Sequence, residues 1–154
     1  PYWVVDSSSL YFDKLQGESS IYYTPTKGHD VLDEERTQTN LANWIVRFAE
    51  KVPTPALKWG FATEGNYSRV SVESSEDISE AFLWEATSES KDFRESIWKA
   101  NPITLSEKKR ILGKTTVPES GWKAYYVELK FDKLNSLSLS TEINVVKTDG
   151  EGTD

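Results

Sequence analysis

Residues 41–61 read LANWIVRFAEKVPTPALKWGF, and the hydrophobic period changes inside that stretch. On its N-terminal side Leu41, Trp44, Ile45 and Phe48 fall at i, i+3, i+4 and i+7, the spacing of one face of an α-helix. Beyond Val52-Pro53-Thr54-Pro55, the apolar residues Leu57, Trp59 and Phe61 recur at every second position, the period of a half-buried strand. Pro53 and Pro55 stop the helix and stiffen the joint. The change of period predicts a boundary here, with one unit over residues 1–52, a second over 53–148, and a polar, acidic tail over 149–154 that is too poor in apolar groups to order itself.

Downstream, the alternation continues at Val70 and Val72, at Phe82 and Trp84, at Tyr125, Val127, Leu129 and Phe131, and at Leu137, Leu139, Thr141, Ile143 and Val145. At least five strands are written there, separated by turn residues such as Glu64-Gly65-Asn66 and Glu119-Ser120-Gly121. Strands with one apolar face each predict an antiparallel, immunoglobulin-like β-sandwich. On such strands Trp59, Trp84, Tyr125 and Tyr126 read as core or cross-strand residues rather than a carbohydrate platform. Between Thr87 and Gly113 the period is lost, which predicts an inserted loop or an irregular pair of strands, with Lys91, Asp92, Arg94 and Glu95 on a solvated face.

Upstream, Asp6-Ser7-Ser8-Ser9 ahead of Leu10, Tyr11 and Leu15, closed by Gly17, has the capping grammar of a helix of about ten residues. SSIYYTP alternates as a short strand ending at Pro25, a loop follows over residues 26–30, and Asp33-Glu34-Glu35 place negative charge in the first turn of the second helix. One strand and two helices leave apolar faces uncovered, so the first unit is not expected to stand alone.

Composition narrows the function. Six Trp, seven Tyr and six Phe in 154 residues are enough to fill a core. A net charge of −7 argues against nucleic acid and against an anionic membrane surface. No apolar run approaches the roughly 20 residues that span a bilayer, so membrane insertion is not expected. With no cysteine and one histidine, neither a metal site nor a bound cofactor is predicted. A chain that starts at Pro1 and contains no methionine reads as a processed piece of a longer product. Asn66-Tyr67-Ser68 is an acceptor sequon on a predicted turn, making Asn66 the candidate glycosylation site.

The single histidine, His29, lies in Lys27-Gly28-His29-Asp30, between the predicted strand and the helix that follows. A triad histidine of an α/β-hydrolase occupies that context, on the loop after the last strand of the sheet. The other members of a triad are not here: nothing before His29 resembles G-x-S-x-G, and Ser7, Ser8 and Ser9 read as a helix cap rather than a nucleophile elbow. Asp6 reads as an N-cap rather than as the acid.

At PYWVVDSSSLYFDKLQGESSIYYTPTKGHD, with ATSESKDFRESIW and TVPESGWKAYYVEL further on, the chain resembles the C-terminal part of the PhoPQ-activated pathogenicity-related proteins, from Pro1 to about Val146. These are secreted or periplasmic members of the α/β-hydrolase superfamily. The resemblance implies that residues 1–52 finish a hydrolase sheet, that His29 is the general base, and that the triad acid and the serine lie upstream of Pro1. It also implies an extracellular protein whose partners are an N-terminal chain or segment of the same protein and a small ester or peptide substrate. An Asp–Pro bond is labile to acid, so an upstream segment severed at Pro1 is expected to stay bound as a second chain. The other reading is a secreted, proliferation-repressing signal that keeps the hydrolase scaffold and meets a cell-surface receptor through its sandwich without catalysis.

Overall fold

In the computed structural model, which describes residues 4–26, 30–133 and 135–148, the period change at Val52 is a change of element. Helix α1 spans Glu35–Ala49, with Glu35 in its first turn and Arg47 in its last. It closes in a Schellman motif: Lys51, at φ 55°, donates its N–H to the Phe48 carbonyl at 3.1 Å, and the Val52 N–H reaches the Arg47 carbonyl at 2.9 Å. Pro53 then prevents any further turn.

Eight strands follow: β1 (Leu57–Glu64), β2 (Tyr67–Ser74), β3 (Glu80–Ser88), β4 (Lys99–Pro102), β5 (Arg110–Thr116), β6 (Trp122–Phe131), β7 (Leu137–Ser140) and β8 (Asn144–Lys147). They form two antiparallel sheets, one ordered β1-β2-β5 and the other β4-β3-β6-β7, with β8 also paired to β6. The sheets pack face to face as a β-sandwich. Val70, Val72 and Ile111 from the smaller sheet meet Leu83, Val127, Leu129 and Leu139 from the larger. At Gly113 the backbone runs so close to the facing sheet that a Cβ would lie 3.0 Å from Val70 Cγ1 and 3.1 Å from Val127 Cγ2.

β2 shows the expected alternation, with Ser68, Val70, Val72 and Ser74 buried and the residues between them exposed. β6 departs from it, because residues 124–129 are all buried. The reason is a second layer. Val5, Tyr23 and helix α1 lie against the outer face of the larger sheet, so β6 is covered on both sides, as central strands of three-layer folds are.

The sequence reading needs correction in several places. Residues 7–14 form two short 3-10 turns, Ser7–Leu10 and Phe12–Lys14, instead of a ten-residue helix. Three consecutive serines are weak helix formers that bond their own backbone, and the Ser9 hydroxyl donates to the Asp6 carbonyl at 2.7 Å. Asp6 gives no side-chain cap and pairs with Lys91 at 2.9 Å instead, so Lys91 leaves the solvated face. SSIYYTP contributes a single bridge, Ile21 to Ser140, because Tyr23 turns onto the sheet to meet Tyr126. Of the two readings of the stretch between Thr87 and Gly113, a loop or a pair of strands, the structure has strands, β4 and the start of β5. The strand predicted over 137–145 is broken at Thr141–Ile143. There the buried Thr141 bonds Val127 twice, its N–H donating to the carbonyl at 2.9 Å and its hydroxyl accepting the N–H at 3.1 Å. Val145 and Val146 are both buried because they point to opposite faces of a sheet covered on both sides, Val146 in the inter-sheet core and Val145 in the outer cluster.

Candidate functional site

His29, the candidate catalytic residue, lies outside the described residues, as do Lys27, Gly28 and the tail 149–154. The chain on either side of it is fixed. Before it, Ile21 is bridged to Ser140, the Tyr23 and Ser8 hydroxyls meet at 2.9 Å, the Thr24 and Thr37 hydroxyls meet at 2.7 Å, and Thr26 Oγ1 accepts the Trp98 N–H at 3.3 Å. After it, an exposed Asp30 opens the 3-10 turn Val31–Asp33, and Gln38 Nε2 donates back to the Leu32 carbonyl at 2.8 Å. The flanking residues Thr26 and Asp30 are thus placed at the outer face of the larger sheet and ahead of α1.

The outer face of the larger sheet presents an aromatic and ionic cluster. Tyr126 sits among Tyr23, Trp98 and Trp84, with ring centroids 5.1, 5.4 and 6.3 Å away. Burial pushes its hydroxyl far above the usual tyrosine range. Next to it the carboxylate of Glu128, 2% exposed, accepts from Arg36 Nη2 at 2.6 and 2.5 Å and from Trp84 Nε1 at 2.7 Å. The Arg36 guanidinium is sandwiched between two rings, 5.6 Å from the Tyr22 centroid and 5.4 Å from that of Trp84. These groups line an open groove of about 680 Å³ between α1 and the sheet, with Lys130 and Asn40 on its walls.

Helix α1 meets this surface with its polar side. Arg36, Asn40, Asn43 and Arg47 recur at i, i+4, i+7 and i+11, and all four bond the sandwich or the loops beside it. Asn40 brackets Ser138, accepting its N–H at 2.7 Å and donating to its carbonyl at 3.0 Å; Asn43 donates to the Ser136 carbonyl at 2.6 Å. Arg47 is completely buried and binds the Lys133 and Pro53 carbonyls and the Glu76 carboxylate. The predicted apolar stripe faces the other way: Leu41 is 48% exposed, Ile45 52% and Phe48 74%, with Trp44 and Phe48 stacked on each other at 5.9 Å.

The other candidate residues fall elsewhere. Asn66 is exposed in the β1–β2 turn, while the Ser68 hydroxyl of its sequon is fully buried, 2.6 Å from the Tyr125 hydroxyl and 2.9 Å from that of Thr63. Asp92 and Arg94 form an exposed pair in which the guanidinium holds the carboxyl at about 2. No group of three or more His, Asp or Glu side chains among the described residues is arranged to hold a metal ion. No helix among them is long and apolar enough to cross a membrane.

Sequence reasoning passed over Arg36, Arg47 and Glu128. A signal existed for each: a glutamate inside the apolar run Tyr125–Phe131, and a polar stripe of two Arg and two Asn along a helix otherwise read by its apolar side.

The family model for the PhoPQ-activated pathogenicity-related protein matches residues 1–94, which takes in everything up to and including β3; strands β4 to β8 lie beyond the match. Searches of curated proteins and of solved structures found no match.

Proposed function

The chain belongs to the PhoPQ-activated pathogenicity-related protein family, and from that premise we propose that it completes a serine hydrolase of the α/β type whose nucleophile and acid come from an upstream segment of the same protein. In this reading His29 takes the proton of the serine hydroxyl as that oxygen attacks an ester or peptide carbonyl, and returns it to the leaving group. An upstream carboxylate orients the imidazole. An imidazole with pKa near ~6.5 is suited to that exchange at neutral pH.

The observation that carries the reading is the orientation of α1. An amphipathic helix lying on a β-sandwich ordinarily spends its apolar stripe there. α1 spends its polar stripe instead, and Leu41, Trp44, Ile45 and Phe48 remain turned outward. A helix used in this way is suited to stand between two layers, the sandwich on one side and the sheet of a hydrolase core on the other. His29 precedes this helix in sequence by six residues.

A fluorophosphonate probe applied to the whole protein tests the assignment. Labelling of an upstream serine is expected, and His29→Ala is expected to reduce its rate by about 10⁴-fold or more while the circular dichroism spectrum is unchanged. A folded protein that never labels, or one that labels equally well without His29, would rule the role out.

The same reading places the protein outside the cell, and the sequon supports it. Because the Ser68 hydroxyl is buried in the folded sandwich, a glycan on Asn66 has to be added before the β1–β2 hairpin docks, as happens when a chain is modified during export. Protein from its native source is expected to lose the mass of one glycan on treatment with a peptide N-glycosidase, and the Asn66→Gln variant to show no such loss. A native mass without any glycan would remove this support.

A further inference from the structure

Among the described residues five strands lie at sheet edges, and four of them are blunted, β8 by being only four residues long. β4 is four residues long and carries Lys99 and Pro102. β7 receives the bridge from Ile21. β5 presents Arg110 and Lys114, two like charges, on its exposed face. The eight-residue β1 is different. It pairs with β2 alone, and its exposed face reads Lys58, Gly60, Ala62, Glu64, with two small residues at the centre and opposite charges at the ends.

Backbone direction along β1 follows from its hairpin. The two-residue turn Gly65-Asn66 makes Glu64↔Tyr67 the closing hydrogen-bonded pair, so bonding to β2 recurs at Ala62, Gly60 and Lys58. The N–H and C=O groups of Trp59, Phe61 and Thr63 then point away from β2, along the open edge.

The geometry points to β1 as a self-complementary edge that pairs antiparallel with β1 of a second copy about a two-fold axis at Phe61. In that register Phe61 stands opposite Phe61 of the second copy, Trp59 opposite its Thr63, Gly60 opposite its Ala62, and Lys58 opposite its Glu64, each unlike pair occurring twice. The outward groups of Trp59, Phe61 and Thr63 supply two hydrogen bonds for each of three pairs, about six in all. The charges select this register. Moving the axis to Gly60 would set Lys58 against Ala62 and leave both charges unpaired. The inner-face aromatics gain as well, since Trp59 and Phe61 are only partly buried in one copy and the joined six-stranded sheet continues over them.

Sedimentation equilibrium on the whole protein, with amide exchange at several concentrations, tests this. A reversible dimer is expected, with exchange at Trp59, Phe61 and Thr63 slowing as concentration rises while Lys58, Gly60 and Ala62 stay unchanged. Lys58→Glu and Glu64→Lys are each expected to weaken the dimer roughly tenfold by setting like charges opposite each other, and the double exchange to restore it. A monomer at every concentration overturns the pairing. So does a dimer indifferent to both reversals, or one lost on Phe48→Ser in α1 while the β1 variants leave it intact.

Discussion

Replacing Arg47 by alanine is expected to destabilise the protein by about 3–5 kcal/mol, the cost of breaking a buried ion pair from one side. In a chain of this size that lowers the melting temperature by on the order of 10 °C. Arg47 is 0% exposed, and its guanidinium fills three demands at once: the Lys133 carbonyl at 2.7 Å, the Pro53 carbonyl at 2.8 Å and the Glu76 carboxylate at 2.7 Å. Truncation strands all three and leaves a cavity between α1 and the sandwich. Alanine's better helix propensity recovers only a few tenths of a kcal/mol. Arg47→Lys separates charge from geometry, because an ammonium keeps the pairing with Glu76 but cannot span both carbonyls; an intermediate loss of about 1.5–3 kcal/mol is expected. Urea unfolding followed by tryptophan fluorescence measures both. A loss below about 1 kcal/mol for Arg47→Ala would mean that α1 is not anchored through this side chain.

Wherever one rule governed a residue, the sequence could be read directly. β1, β2, β3 and β6 stand where period-two alternation placed them, and α1 ends where the prolines require. The same simplicity explains the misses. Alternation assumes that the outer face of a strand is wet, yet Tyr126 and Glu128 lie on an outer face covered by Tyr23, Arg36, Trp84 and Trp98. Nothing local to β6 announces that cover. The break at Thr141–Ile143 was invisible for a related reason. Thr141 is compatible with a strand by composition, and only its two bonds to Val127 reveal that it interrupts one.

α1 is the most instructive element. Its apolar stripe was legible, and so was the expectation that residues 1–52 leave apolar surface uncovered. What the pattern could not reveal is that the helix would dock by its other side. Periodicity reports which residues share a face, and burial of the apolar face is then assumed. Here four hydrogen-bonding side chains hold the helix without it, Arg36 and Arg47 on carboxylates and Asn40, Asn43 and Arg47 on backbone carbonyls. The candidate site inherits the same limit. His29 was singled out by its type and its neighbours in sequence, whereas the Arg36–Glu128–Trp84 cluster joins residues 92 and 44 positions apart.

That cluster yields an expectation about asymmetry. Arg36 and Glu128 form one ion pair, but the Arg36 side chain is 39% exposed and that of Glu128 is 2% exposed. Removing each partner therefore strands a different charge. Glu128→Leu leaves a guanidinium that can swing toward water and a Trp84 N–H without its acceptor, a loss of about 1–3 kcal/mol. Arg36→Leu leaves a carboxylate sealed under the helix with only the Trp84 N–H to satisfy it, and is expected to cost more, about 3–5 kcal/mol. The double variant removes both charges and is expected to recover part of the Arg36→Leu loss, because an apolar pair of similar volume needs no counterion. Thermal unfolding of the three variants at neutral pH measures all of this. Equal losses for the two single variants, or a double variant whose loss is their sum, would show that Glu128 is hydrated rather than held dry between α1 and β6.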